Sequence, residues 1–443
     1  MKNSKVLQDI KSNSMEIPSR RDFFRKTAIY SAGALSAASI LSPVSVKADE
    51  TAIINDAPWG TKLGDPVDKN LYGIPSPYEH NNIRRTHDLF SSGDAYASVS
   101  MCPIHESEGI ITPNGLFFTR DHGGTAHVDP NEWRLMIHGK VKKEIVLTLD
   151  DLKKYPSESR IYFIECPANG SPEWRGPQFN SLQFMKGLMS AAAWTGVMLK
   201  TILDDLGLEK DAIWMLAEGS DNASNPRSIP VEKALDDVMV VWGQNGEALR
   251  PEQGYPVRLI VPGWEGNLNT KWLRRLEFSD KPWHSKEETS KYTMLQKSGK
   301  AIRYFWVNEV NSVITSPCPE KPWTHLKKGE MVEIEGLAWS GHGTIKGVDI
   351  SFDGGDNWVE ARLKGLVLPK SWTRFSYVIK WEGKPLLLAS RSYDDFGNVQ
   401  PTIDQETSAV GVESVYHRNA IVTWEITNKG ECNNVQIRKH KKA

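Results

Sequence analysis

The 443-residue chain has few cysteines: Cys102, Cys166, Cys318 and Cys432, with no two in a Cys-x-x-Cys pair. Zinc-ribbon, thioredoxin and c-type haem attachment chemistries all require that spacing, so none of them is expected. An excess of one charge is also missing, because 54 Lys and Arg offset 55 Asp and Glu to leave a net charge of −1. A nucleic-acid partner would call for a basic face, so none is expected. Beyond residue 48 no stretch approaches the ~18 consecutive apolar residues of a membrane span. Internal repeats and low-complexity segments are absent as well. Tryptophan, by contrast, is abundant at 16 residues, which suits β-rich domains with large interior side chains better than a helical bundle.

The first 48 residues read as an address. Ser19-Arg20-Arg21-Asp22-Phe23-Phe24-Arg25-Lys26 has the form of a twin-arginine signal. Small apolar residues follow from Ala28 to Val46, and Val46-Lys47-Ala48 offers a small-residue cleavage site. A signal peptide over 1–48 therefore predicts export to the periplasm in the folded state, the route suited to a chain that takes a large cofactor before export. This segment holds eight Lys or Arg and three Asp or Glu, so the remaining ~395 residues carry about −6 and leave room for two domains.

Residues 49–110 are rich in Pro, Gly and Asn without a sustained period, and are expected to form an extended arm. Residues 111–298 have a mixed texture and are expected to form the catalytic domain. Ile161-Tyr162-Phe163-Ile164 predicts a buried strand ending in a Pro/Asn/Gly loop. Leu199, Ile202, Leu203 and Leu206 recur at helical spacing, with Gly207 closing the helix. Pro256–Pro262 predicts another strand between breakers. From about 301 the chain reads as all-β: Val348, Ile350 and Phe352 alternate with polar residues, Asp353-Gly354-Gly355-Asp356 turns, and Val359, Ala361 and Leu363 alternate on the return. Met331–Trp339, Arg374–Trp381 and Leu386–Tyr393 read as further strands of a sandwich spanning 299–430. The fold class is α+β.

Cys166 follows the 161–164 strand, where the rigid end of a strand can present a side chain to a cleft. Its thiolate would serve as a soft metal ligand, and no base adjoins it in sequence to make it a nucleophile. An oxidising compartment permits disulfides, for example Cys102 with Cys318, although spacing assigns no pairing. Arg120-Asp121-His122 precedes a Gly pair. Arg258 lies in an otherwise apolar strand, and Lys271-Trp272 follows the Pro262–Asn269 loop. Basic groups converging on one cleft suit a phosphate-bearing cofactor or an oxyanion.

Taken in order, Ile-Glu-Cys166-x-x-Asn169, Pro256-Val-Arg258, Thr270-Lys271-Trp272-Leu273, Ala338-Trp339-Ser340-Gly341 and Asp349-Ile-Ser-Phe-Asp353-Gly354-Gly355-x-x-Trp358 resemble the sulfite oxidase family of molybdenum enzymes. Within it, Phe163–Gly170 with Glu173-Trp174-Arg175-Gly176 is most similar to the molybdenum subunits of thiosulfate-oxidising sulfane dehydrogenases. The resemblance implies a mixed α/β molybdopterin domain followed by an immunoglobulin-like dimerisation domain. It implies molybdenum held by Cys166 and a molybdopterin, with Arg120, Asp121, His122, Asp221, Gln253, Arg258, Lys271 and Trp272 on cofactor-binding positions. Asp121 stands where Asn is usual, and Gln253 where His is usual. Tyr292, Arg120, Arg418 and Trp174 fall on catalytic positions. Gly170-Ser171 replaces an Arg of sulfite oxidases, which weakens the case for free sulfite.

The resemblance further implies oxidation of sulfane sulfur linked to a carrier protein. Electrons would pass to a separate c-type cytochrome subunit, expected to be diheme, with a homodimer of this chain inside a heterotetramer. The alternative is a sulfite dehydrogenase acting on free sulfite. A sulfoxide-reducing member is a weaker option, and so is a copper-binding or adhesion-type β protein using Cys166, His122 and His127.

Overall fold

The computed structural model describes residue 63, residues 71–88 and residues 98–438. The expected signal peptide at 1–48 lies outside the described residues. Residues 1–75 and 76–443 are separate compact units, and the account below concerns the second.

The first half of this unit is built on two five-stranded sheets. In one, Glu158–Glu165 pairs antiparallel with Met189–Met198, which pairs with Met239–Gln244; Glu247–Ala248 and Arg258–Ile260 complete it. The other has the order Ile145–Leu147, Leu135–Gly139, Leu273–Ser279, Trp214–Gly219, Arg227–Pro230, with a parallel pair between Leu135–Gly139 and Leu273–Ser279. The helix Leu199–Leu206 forms where the apolar period predicted it. It buries Leu199, Ile202, Leu203 and Leu206, and Gly207 ends it with a backbone at φ 72°.

The second half is a β-sandwich. Asn311–Ser316, Met331–Trp339, Thr373–Lys380 and Arg362–Lys364 form one antiparallel sheet. Val359–Glu360, Ile345–Ser351, Leu386–Asp394, Thr423–Ile426 and Cys432–Val435 form the other. Inward-facing residues fill its core: Ile334, Val348, Ile350, Phe375, Leu388 and Trp424 are all fully buried.

Three features depart from the sequence reading. The run Val359–Lys364 is not one return strand, because it crosses between sheets at Ala361: Val359–Glu360 pairs with Ile345–Ser351, and Arg362–Lys364 with Thr373–Lys380. The second half also contains a helix, Ile403–Val410. Thr402 and Gln405 nucleate it by a reciprocal capping box, a local signal the all-β texture masked. Within the expected arm, Ser98–Ser100 is a strand paired with Thr119–Asp121, so Arg120 and Asp121 lie in a strand. All four cysteines are buried and free, and the Cys102–Cys318 bond is not formed. Among the described residues, no helix is long and apolar enough to cross a membrane.

Candidate active site

The Glu158–Glu165 strand, with Tyr162, Phe163 and Ile164 buried, delivers Cys166 to the floor of a cavity of about 740 Å³. Several bonds fix this strand end. Cys166 N–H donates to Leu188 O at 2.9 Å, and Asn169 N–H donates to Cys166 O at 2.9 Å. The Asn169 amide donates to Glu165 Oε1 at 2.8 Å and accepts from Leu188 N–H at 3.1 Å. Trp339, from the sandwich, donates its indole N–H to Glu165 Oε2 at 2.7 Å. Gly266 closes the other side, where a Cβ would lie a tight 3.0 Å from Glu165 O, so glycine favours the close approach of the 262–269 loop. Burial pushes the Cys166 thiol up to about 11, so its thiolate needs a cation to stabilise it, as a soft metal would.

Arg120, His122 and Tyr292 form a relay on the wall above Cys166. Arg120 Nη2 lies 3.3 Å from His122 Nδ1, and His122 Nε2 lies 2.7 Å from Tyr292 Oη. Arginine can only donate, so Nδ1 accepts and the neutral ring carries its proton on Nε2, which donates to Tyr292. The phenolic proton is then free to point into the cavity. Burial, reinforced by Arg120, lowers the His122 pKa to about 4 and keeps that ring neutral. Burial, followed by the nearby Cys166 sulfur, raises the Tyr292 pKa, so the phenol stays protonated.

The cavity extends away from Cys166 along a polar wall. Arg258 is 4% exposed; it donates Nη1 to Gln253 O at 3.1 Å and to Gln253 Oε1 at 3.2 Å, and Nη2 to Asn269 O at 3.0 Å. Gln253 in turn donates to Phe118 O at 3.0 Å, so it both lines the cavity and orients Arg258. Lys271 pairs with Asp121 and donates to Glu252 O at 3.0 Å, its ammonium 4.7 Å from the Trp272 ring centre. Asp221 lines the same wall, and burial raises its pKa. Sequence reasoning overlooked Asn225 and Asn269, and quoted Thr270 only as part of a motif. Asn225 sits at φ 36°, in a polar turn without periodicity that gave no signal beyond its nearness to Asp221.

No cofactor was needed to find this wall, but its chemistry tests one. Arg258 Nε, Asn225 Oδ1 and Thr270 Oγ1 are buried atoms without a hydrogen-bond partner, and all three residues line the cavity. Leaving such groups unmet costs about 1–3 kcal/mol each, so a polar ligand is called for. Donors, an acceptor and two cations along one wall, with a thiol at the end, fit a pterin that carries a phosphate and a thiolate-bound metal.

Two expected residues do not line this cavity. Trp174 is 2% exposed and lies beneath Arg418, whose guanidinium carbon is 5.3 Å from its ring centre. Arg418 is buried, paired with Glu406, and reaches a smaller recess shared with Cys166, Pro167, Asn169 and His417. The copper alternative finds no support. Among the described residues no group of three or more His, Cys, Asp and Glu could hold a metal, and His127 does not line the cavity.

Comparison with known proteins agrees with this geometry. The family model described as oxidoreductase molybdopterin binding domain matches residues 122–287, and that of the Mo-co oxidoreductase dimerisation domain matches residues 303–424. Mitochondrial sulfite oxidase of Rattus norvegicus is 31% identical over 67% of this chain, which spans 58% of that relative's length. The NADH nitrate reductase of Spinacia oleracea is 30% identical over 66% of this chain and 36% of its own. The sulfane dehydrogenase SoxCD structure from Paracoccus pantotrophus superposes with a TM-score of 0.85 at 44% identity, covering 87% of this chain and 99% of that one. A polar-walled cavity with a single cysteine at its floor, in a chain that both the molybdopterin-binding and the dimerisation family models match, makes this chain a member of the sulfite oxidase family of molybdopterin oxidoreductases.

Proposed function

We propose that this chain is the molybdenum subunit of a periplasmic sulfane dehydrogenase. It would oxidise sulfane sulfur carried on a protein cysteine and pass electrons to a c-type cytochrome, expected to be diheme. The observation that carries this reading is the charge around Cys166. Lys271 is neutralised by Asp121, Arg418 by Glu406 and Arg227 by Glu265 and Glu288. Among the described residues, Arg120 is the cation beside the Tyr292 relay without a carboxylate partner. Arg258 also lacks a carboxylate partner but is turned to Gln253 and Asn269 along the pterin wall, so the one uncompensated charge beside the Tyr292 relay suits a monoanionic persulfide better than the sulfite dianion. The 44% identity to a sulfane dehydrogenase supports the same choice.

Cys166 would hold the molybdenum, with Arg258, Gln253, Lys271, Asp121, Asp221 and Trp272 along the pterin. When bound, the cofactor supplies oxygen transfer to sulfur and a two-electron sink. The residues of the chain do the rest. Arg120 steadies negative charge on the substrate sulfur and on the oxygens it gains. The Tyr292 hydroxyl donates into the cavity, and His122 behind it holds that phenol in place by donating Nε2–H to its oxygen. Arg418 and Trp174 act from behind the Cys166 loop. The expected homodimer would form through the sandwich, with the haem subunits completing a heterotetramer.

Free sulfite is the second reading, favoured by the 31% identity to a sulfite oxidase. Steady-state assays of the native complex separate them. Turnover with a protein-bound persulfide far above that with sulfite supports the proposal, and the reverse order favours a sulfite dehydrogenase. Arg120→Met should raise KM for either anion about tenfold.

A further inference from the structure

Lys186 ends the short helix Leu182–Lys186 and is 2% exposed, an unusual place for an ammonium. Among the described residues, its one hydrogen bond is donated to the main-chain carbonyl of Arg418, at 3.0 Å. Space for it comes from Gly170, where a Cβ would stand 3.2 Å from Lys186 Nζ and 3.4 Å from Arg418 Cβ. A side chain at 170 would crowd the ammonium and would be strained by the backbone there, at φ 81°. The groups facing it are Glu165 at the strand end, Glu173 in the loop after Cys166, Glu406 on the Ile403–Val410 helix, and Arg418 itself.

The side chains of the segment that Lys186 touches are paired, Arg418 with Glu406 and His417 with Glu265, but among the described residues the Arg418 carbonyl accepts from Lys186 alone. His417 N–H donates to Pro167 O at 2.8 Å, beside Cys166. Asn419 and Ala420 N–H donate to Glu406 Oε1 at 2.8 and 3.1 Å. Between these anchors lies Arg418, whose carbonyl would be a buried acceptor with no partner if the ammonium were absent.

We propose that Lys186 is a positioning residue: its ammonium pins the main chain at Arg418 and so fixes the 416–418 segment against the Cys166 loop. A charge-assisted bond to a buried carbonyl is stronger than a neutral one, and here it ties the Arg418 segment to the Leu182–Lys186 helix, two residues before Leu188, whose carbonyl holds Cys166 N–H. The catalytic consequence rests on the persulfide reading above, whereas the structural role does not.

The test combines hydrogen exchange with kinetics on the full chain carrying its cofactor. In Lys186→Met, exchange protection at His417, Asn419 and Ala420 falls about tenfold while buried strands elsewhere keep theirs, and Lys186→Arg restores it. With glutathione persulfide as substrate and ferricyanide as acceptor, KM rises about tenfold, kcat changes by less than about twofold, and molybdenum content is unchanged. The native protein gives a second measure. Burial lowers the Lys186 amine to about 8, so protection of these amides, corrected for base catalysis, falls between about pH 7 and about pH 9.5 but does not in Lys186→Arg. Unchanged protection in Lys186→Met, or a loss spread evenly over the whole core, overturns the proposal. Should Lys186→Met not fold, the native pH series decides. Absence of persulfide turnover in the native enzyme would count against the proposed substrate alone, and the exchange data would still decide the role of Lys186.

Discussion

Tyr292 and His122 work as one unit because arginine cannot accept a hydrogen bond. Arg120 fixes the His122 tautomer, and that tautomer leaves the Tyr292 proton facing the cavity. Removing only the hydroxyl should therefore cost rate rather than affinity. Tyr292→Phe is expected to lower kcat about 10²-fold with KM nearly unchanged, as read by steady-state kinetics. His122 also sets a pH dependence of stability. Its folded pKa of about 4 lies below the model-peptide value of 6.5, so the unfolded chain binds more protons between those values. Stability should thus fall as pH drops from about 6.5 toward about 4, with no contribution from this group above that window. Urea midpoints across that range should fall less steeply in His122→Asn. The structure brings Cys166, Arg120, Arg258 and Lys271, which the motifs singled out, around one cavity, because motifs carry residue identity. The partners that neutralise Lys271, Arg227 and Arg418 come from distant segments, and no local pattern announced them.

At the level of elements, strands and helices with a clear apolar period were legible. Tyr162–Ile164, Leu199–Leu206 and the alternation at Val348–Phe352 all fold as their spacing requires. What sequence hid were breaks in a period. Ala361 moves one run from sheet to sheet, and Thr402 starts a helix by a cap rather than by an amphipathic stripe. The helix at 199–206 is a conventional packing element. Leu203→Ala should cost about 2–5 kcal/mol, measured by denaturant unfolding, without changing kcat. Trp339 differs, since its strand belongs to the sandwich but its indole N–H serves Glu165, next to Cys166. Trp339→Phe leaves that buried carboxylate one donor short and should cost about 1–3 kcal/mol. Unlike Leu203→Ala, it should also lower molybdenum occupancy on metal analysis, because the Cys166 loop loses an anchor.

Over the whole molecule, the sandwich and the cavity are parts of one device. Trp339 and His417 carry contacts from the second half of the chain to the residues beside Cys166, and the Arg418 carbonyl meets Lys186 of the neighbouring helix. Such coupling accounts for family motifs running from Arg120 to Arg418 and not gathering in one domain. The account stands or falls on Cys166 as the molybdenum ligand at the centre of sulfur oxidation. The most direct test is turnover of Cys166→Ser with protein-bound persulfide, with molybdenum measured on the same sample. The account predicts that turnover is abolished, and turnover at the native rate with about one molybdenum per chain would contradict it.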